Sequence, residues 1–286
     1  MPSDQPLVWI TGAAGLIGHE LLLAAPQFVP DWRVRALTRA ELDLTDFHSL
    51  RREFLADRPG LVIHCAALSR NPDCDANPAL ARRINVEATH VLADLAGDAR
   101  LVFFSTDLVF DGAKGGYRET DPVNPFSVYG ATKAEAETRV RLHPRHVVIR
   151  TSLNGGRSLS GERAFNEQLR RAWAEGREVT LYKDEFRSPL DASVTARAVW
   201  ELALAHVPGV FHVAGAERLS RFEIGELVAA RCPALRPRIR PGSLREHRGS
   251  PRPPDTSLNC DKAQALLSFQ LPGLRQWLAE NPDKFF

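Results

Sequence analysis

The octapeptide TGAAGLIG, residues 11–18, constrains this chain more than any other feature. It follows the apolar run Leu7-Val8-Trp9-Ile10 and leads into an amphipathic run over 17–25. A short apolar strand, a glycine-rich turn and a helix make the setting in which such a motif binds a dinucleotide. Gly12 allows the tight turn, Gly15 lets the backbone approach a pyrophosphate, and Gly18 lets the helix pack close to the strand. The helix N-terminus offers phosphates its free N–H groups and the positive end of its dipole. The alternative is a tight strand–helix turn that holds no ligand.

The rest of the amino-terminal half supports the first reading. Strand-like runs at 7–11, 33–38, 61–65, 101–105 and 146–150 alternate with helical runs at 17–25, 46–57, 78–96 and 129–142. Alternation at this spacing predicts βαβ units, hence an α/β fold with a doubly wound parallel sheet of Rossmann type. Leu61-Val62-Ile63 and Leu101-Val102-Phe103-Phe104 are continuously apolar, as strands covered on both faces are. Ligands on such sheets bind beyond the carboxyl ends of the strands. After about residue 150 the alternation loosens. Helices are expected at 161–175, 191–205 and 220–231, the last opened by a capping box of Ser220 and Glu223. The expected division is a dinucleotide-binding core over 1–150 and a smaller, mainly substrate-binding lobe over 151–286, with some elements returning to the core.

A chain of 286 residues with 44% hydrophobic and 25% charged residues is of soluble globular type. Its net charge of +2 calls for no nucleic acid, and no apolar run is long enough to span a membrane. Seven arginines between Arg231 and Arg252 read as a solvated basic loop, or as a holder for a diphosphate. The start MPSDQPLVWI lacks the pattern of an export signal, and the four cysteines form no C-x-x-C pair. A cytoplasmic protein with reduced thiols is expected. The nine histidines show no ligand spacing, so no metal site is expected.

Four segments carry candidate chemistry. Tyr129 and Lys133 stand at i and i+4, on one face of a helix. A nearby ammonium would favour the phenolate and lower the tyrosine pKa. Such a tyrosine exchanges a proton with a carbonyl oxygen as hydride is transferred. Ser105-Thr106-Asp107 closes an apolar strand, where a hydroxyl can hold a substrate carbonyl or simply cap the strand. Cys65-Ala66-Ala67 closes another, and its small side chains let a cofactor approach the backbone. Cys65 itself reads as a buried apolar residue, not a nucleophile. The second strand ends in Leu37-Thr38-Arg39, where many chains carry an acid for the ribose hydroxyls. An arginine there suits the 2′-phosphate of NADP, the alternative being a solvated surface residue.

Glycines at 12, 15 and 18 give the G-x-x-G-x-x-G pattern of short-chain dehydrogenase/reductases, and Tyr129/Lys133 supplies the Tyr-x-x-x-Lys expected downstream. The chain is similar to the extended branch and resembles the dTDP-4-dehydrorhamnose reductase family of sugar-nucleotide-binding proteins. The matching pieces are TGAAGLIG (11–18), LTRAELDLTD (37–46), CAA (65–67), INVEAT (84–89), STDLVFDG (105–112), VNPFSVYGATKAEAE (123–137) and IRTS (149–152). FRSP (186–189), GVFHVAG (209–215) and Ser257-Leu258-Asn259 extend the match over nearly the whole chain.

The resemblance implies that Thr106, Tyr129 and Lys133 are the catalytic hydroxyl, the acid/base and the ribose-binding lysine. Asn85 would support the active site. Gly12, Ala14, Gly15, Leu16, Ile17 and Gly18 would surround the pyrophosphate. Arg39, Asp43 and Leu44 would lie at the adenine side, and Cys65, Ala66, Ala67 and Ser105 would line the cofactor. Leu68, Thr106, Asp107, Leu108, Leu153 and Arg187 would face the substrate. The family commonly has an aromatic at the position of Leu108, Trp at Leu153 and Tyr-Thr at Leu68-Ser69, so the sugar and nucleotide pocket is altered here.

These features imply an NAD(P)H-dependent reductase of a keto-sugar nucleotide or related ketone, with NADP(H) favoured and NAD(H) admitted, and with a homodimer allowed. Two other functions fit the same resemblance. One is a nucleotide-sugar epimerase or dehydratase of the superfamily. The other is a non-catalytic, NADP-binding regulatory subunit like that of methionine adenosyltransferase, whose Arg-Ser-Pro is similar to Arg187-Ser188-Pro189.

Overall fold

Six parallel strands form the centre of the computed structural model, which describes residues 5–286. The reading of the chain's start falls partly on residues 1–4, outside the described ones. The strands are β1 (Leu7–Thr11), β2 (Arg33–Leu37), β3 (Leu61–His64), β4 (Arg100–Thr106), β5 (Val147–Thr151) and β6 (Gly209–Val213). They lie in the order β6-β5-β4-β3-β1-β2. Five were expected; β6 comes from the carboxyl half and pairs with β5 from Gly209↔Val147 to Val213↔Thr151.

The principal helices are α1 (Leu16–Phe28), α2 (Phe47–Asp57), α3 (Ala88–Ala96), α4 (Val128–Val140), α5 (Phe165–Ala174), α6 (Ala192–Leu204) and α7 (Arg221–Ala230). Strand side chains alternate between the two faces of the sheet. Val8 and Ile10 therefore join one apolar layer with Leu21 of α1 and Trp200 of α6. Leu7 and Trp9 join the other, with Leu50 and Phe54 of α2, Leu92 of α3 and Val140 of α4. A third cluster, with Phe165, Leu169, Trp173, Ile224 and Trp277, serves the carboxyl half. The Ser220–Glu223 capping box is formed, and each residue's side chain accepts from the other's backbone N–H.

Two local departures matter for the site. The helical run expected over 78–96 is broken: Pro78–Arg82 is α-helical, Arg83–Glu87 is a π turn, and α3 follows. Such single π turns are often found at functional sites, and this one carries Asn85. The strand order also reverses between β3 and β2, either side of β1, which opens a crevice beyond the carboxyl ends of β1 and β3.

Candidate active site

The glycine turn forms one wall of that crevice. Gly12 has φ +68°, and a Cβ there would lie 2.6 Å from the Ala66 amide nitrogen, so a side chain is excluded by both backbone and space. The Gly15 N–H closes the turn on the Gly12 carbonyl at 2.8 Å. Gly15 is also the N-cap of α1, with no side-chain cap and no acid in the first turn. The first N–H groups of α1 are thus left for an outside acceptor, as an anion site requires. Ala14 is exposed and Leu16 and Ile17 are half-buried, while Gly18 is buried against the turn.

The second wall is the segment after β3. The Thr11 hydroxyl bonds His64 Nδ1 at 2.7 Å and accepts the Ala66 N–H at 3.3 Å. Asn85 grips the next residues: its side chain accepts the Leu68 N–H at 2.8 Å and donates to the Leu68 carbonyl at 3.0 Å. It also donates to the Thr132 hydroxyl on α4, at 3.0 Å. Asn85 therefore holds Cys65–Leu68 and α4 in fixed relation. Burial pushes the Cys65 thiol up, which keeps it protonated and unreactive.

Arg39 and Asp43 stand beyond β2. The Arg39 side chain is 81% exposed and only 3.6 Å from Asp43. Asp43 accepts the Thr45 N–H and hydroxyl at 2.9 and 2.7 Å, which hold its carboxyl below the usual range. Leu44 is buried in the core layer of α2.

Thr106 ends β4, buried beside the N-terminus of α4. That helix approaches so closely that a Cβ on Gly130 would overlap the Leu108 carbonyl oxygen. Ser127 caps the helix by accepting the Gly130 N–H. Tyr129 and Lys133 thus lie in its first two turns. The Thr106 hydroxyl hydrogen-bonds to Tyr129, while burial and the Asp107 carboxylate push the Tyr129 phenol up. This corrects the expected lowering by Lys133. The Lys133 ammonium instead sits 3.9 Å from the centre of the Phe103 ring, and desolvation is the largest influence on the phenol. Lys133 is 2% exposed and donates no hydrogen bond among the described residues. Burial brings its pKa down to about 7, with Glu137 acting the other way.

Asp107 links this site to the carboxyl half. It accepts from Thr106 (3.2 Å), Ser152 (2.7 Å) and Thr256 (2.8 Å), and lies 3.7 Å from Arg187. Arg187 is buried and engaged with Glu185, Phe186 O and Pro253 O. Of the seven arginines in the basic stretch, Arg252 is drawn in, donating twice to Glu185 at 2.8 Å. Arg221 joins this group; burial lowers its pKa to about 10 and Glu185 opposes that. Ser105, by contrast, donates to Glu137 at 2.5 Å. Leu108 is half-buried, and Leu153 packs against the carboxyl cluster of Phe165 and Trp173.

The reading from sequence missed Ser152, Glu185, Arg221 and Thr256. Ser152 lies inside the IRTS motif; nothing in the sequence marks the other three, which reach the site only through folding. Among the described residues no cluster of His, Cys, Asp and Glu is placed to hold a metal, and no helix is long and apolar enough to cross a membrane.

An uncapped glycine turn at the switch point, facing a tyrosine and lysine on one helix, places the chain among the extended short-chain dehydrogenase/reductases. Within that class it belongs to the family described as the RmlD substrate binding domain, which it matches over residues 7–285. It is 31% identical to a probable dTDP-4,6-dihydroxy-2-methyloxan-3-one 4-ketoreductase of Streptomyces antibioticus, over 96% of this chain and 93% of that one. It is 32% identical to a dTDP-4-dehydrorhamnose reductase of Mycobacterium tuberculosis, over 94% and 88%. A methionine adenosyltransferase 2 subunit beta of Danio rerio is 28% identical over 91% and 84%. Among solved structures, a dTDP-4-dehydrorhamnose reductase of Bacillus anthracis in complex with NADP superposes with a TM-score of 0.88, at 25% identity over 96% and 98%.

Proposed function

We propose that this chain is an NADPH-dependent reductase of a keto-sugar nucleotide. The observation that carries this reading is the Thr106–Tyr129–Lys133 group, with Thr106 and Lys133 buried and Tyr129 half-buried, together with the open N-terminus of α1. The residues present fit NADP(H): the free N–H groups of α1 suit a pyrophosphate, and the Lys133 ammonium suits ribose hydroxyls. When bound, the nicotinamide supplies the hydride. Tyr129, kept protonated by its burial, gives its proton to the carbonyl oxygen, and Thr106 orients that oxygen. Asn85 acts through position, holding the cofactor wall against α4.

Asp107 and Glu185 face Arg187, Arg221 and Arg252, which leaves one positive charge in surplus. That balance favours a substrate bearing a diphosphate. Neither a membrane nor a nucleic acid is needed, and the four free cysteines suit a reducing compartment such as the cytoplasm. The division into a cofactor core and a substrate lobe follows the same logic, with β6 and α6 returning to the core. Sedimentation of the purified chain reads whether it pairs with a second copy.

A panel of nucleotide-linked keto-sugars and simple ketones, followed by NADPH absorbance, tests the function. Net NADPH oxidation with a nucleotide-linked ketone is expected. Turnover of an epimerase or dehydratase substrate without net NADPH loss, or no turnover with any ketone, overturns the reading. Leu108 and Leu153 stand where the family commonly places aromatics, each worth about 0.5–1.5 kcal/mol beyond its buried area. dTDP-4-dehydrorhamnose is therefore expected to bind about five- to a hundred-fold more weakly than it does to a family member that carries both aromatics. If it binds the two equally well, the two leucines are not specificity determinants.

Arg39→Ala is expected to narrow the preference for NADPH over NADH, chiefly by weakening NADPH. An exposed ion pair such as Arg39–Asp43 is worth at most about 1 kcal/mol, so a phosphate displaces it readily. Equal affinity of the unaltered protein for both cofactors, read by fluorescence titration, would make Arg39 a plain surface residue.

A further inference from the structure

An ion pair that the function above does not use lies beneath α4. Glu137, one turn after Lys133, is 2% exposed, and Arg150 on β5 is 1% exposed. Arg150 Nε and Nη2 donate to the two carboxylate oxygens at 2.9 and 2.6 Å, and the Ser105 hydroxyl adds a third bond at 2.5 Å. The remaining guanidinium nitrogen, Nη1, is buried without a partner among the described residues. A buried pair of this kind is a weak source of stability, since well-packed apolar residues often serve as well or better. What it does change is the potential at its neighbours.

Lys133 is the neighbour that matters. It meets Glu137 on its own helix, His64 and Cys65 at the end of β3, and the Phe103 ring on β4. Tyr129 stands one turn before it. His64 is buried and neutral, its pKa pushed down to about 3, and the Cys65 thiol and Tyr129 phenol are both pushed up. None of these three carries charge at neutral pH. Glu137 is then the anion that faces the Lys133 ammonium, and Arg150 decides how much of that anion Lys133 feels.

We propose that Glu137 and Arg150 are positioning residues that together set the charge carried by Lys133. Glu137 retains the ammonium against its burial, and Arg150 weakens that hold. The importance of this for turnover rests on the role given to Lys133 above, but the titration itself does not.

The chain has five lysines, so ε-carbon NMR of 13C-lysine-labelled protein, without cofactor, can follow Lys133 individually. Lys133→Met identifies its signal. In the unaltered protein Lys133 is expected to titrate near neutrality. Glu137→Gln should move the midpoint down by about one pH unit or more, a tenfold change in proton affinity. Arg150→Met should move it up. Glu137→Gln with Arg150→Met removes both ions and leaves no unpaired charge, and its midpoint should fall between Glu137→Gln and the unaltered protein. This double variant decides the matter if either single variant does not fold. Midpoints that stay in place, or that move the same way in both single variants, overturn the proposal. NADPH affinity at pH 6 and pH 8 is read on the same samples. A shifted midpoint with unshifted NADPH affinity supports the proposal and removes the ribose-binding role of Lys133.

Discussion

Tyr129→Phe is expected to lower kcat for ketone reduction by about a hundred- to ten-thousand-fold, the usual contribution of a general acid. NADPH affinity should be nearly unchanged. The ring that packs at the head of α4 is kept, and the groups assigned to the nucleotide, the glycine turn and Lys133, are untouched. Burial and the Asp107 carboxylate both hold the Tyr129 proton in place, so the phenol is in its donating form throughout the neutral range. Reduction should accordingly show no fall in rate with rising pH through the neutral range from this residue. Stopped-flow kinetics with NADPH titration on the same sample checks both halves. Full activity in the variant would assign the proton to another group.

Lys133→Met is expected to impair both binding and rate while raising thermal stability. A charge-assisted hydrogen bond is worth about 1.5–3 kcal/mol, so loss of the ribose contact should weaken NADPH by about ten- to a hundred-and-fifty-fold. The rate falls as well, because a cofactor that has lost its ribose contact is held less well for hydride transfer. Stability moves the other way. Burial brings the Lys133 pKa down to about 7, so the folded state binds this proton less well than the unfolded chain does. The resulting penalty is complete below pH 7 and fades as pH rises toward the ordinary lysine value. Methionine removes it and keeps an apolar stem beside Phe103, and a higher Tm at pH 6 than the unaltered protein is the expected sign. A variant that loses stability at pH 6, or that binds NADPH as tightly as before, contradicts this account.

Local chemistry made much of the molecule legible. The glycine turn is readable because a positive φ at residue 12 and the close passage of Ala66 admit almost nothing else. The alternation of apolar strands and amphipathic helices over the first 150 residues follows from burying both faces of a parallel sheet. Ser220 and Glu223 announce a helix start from four residues of sequence. The short strand β6 escaped notice because five residues from the carboxyl half carry no periodic signal of their own. They become a strand only by completing the edge beside β5. The break at Arg83–Glu87 escaped for a related reason: a π turn has no composition, and it arises where Asn85 must reach Leu68 and Thr132 at once.

The sequence by itself therefore determined the class of fold, the glycine turn and the side chains proposed to react, because each depends on residues close together in the chain. The tertiary structure alone decided their electrostatics. Tyr129 is protonated and not ionised because desolvation, which no spacing encodes, and the Asp107 carboxylate both hold the phenol proton. Ser105 and Arg150 meet on the Glu137 carboxylate because β4 and β5 lie side by side, with Ser105 paired to Arg150. Asp107 is a junction between the two halves because Ser152 and Thr256, 45 and 149 residues away, are carried to it by folding. Charges and hydrogen bonds act through space over a few ångströms, and only the folded chain fixes which groups lie within that reach.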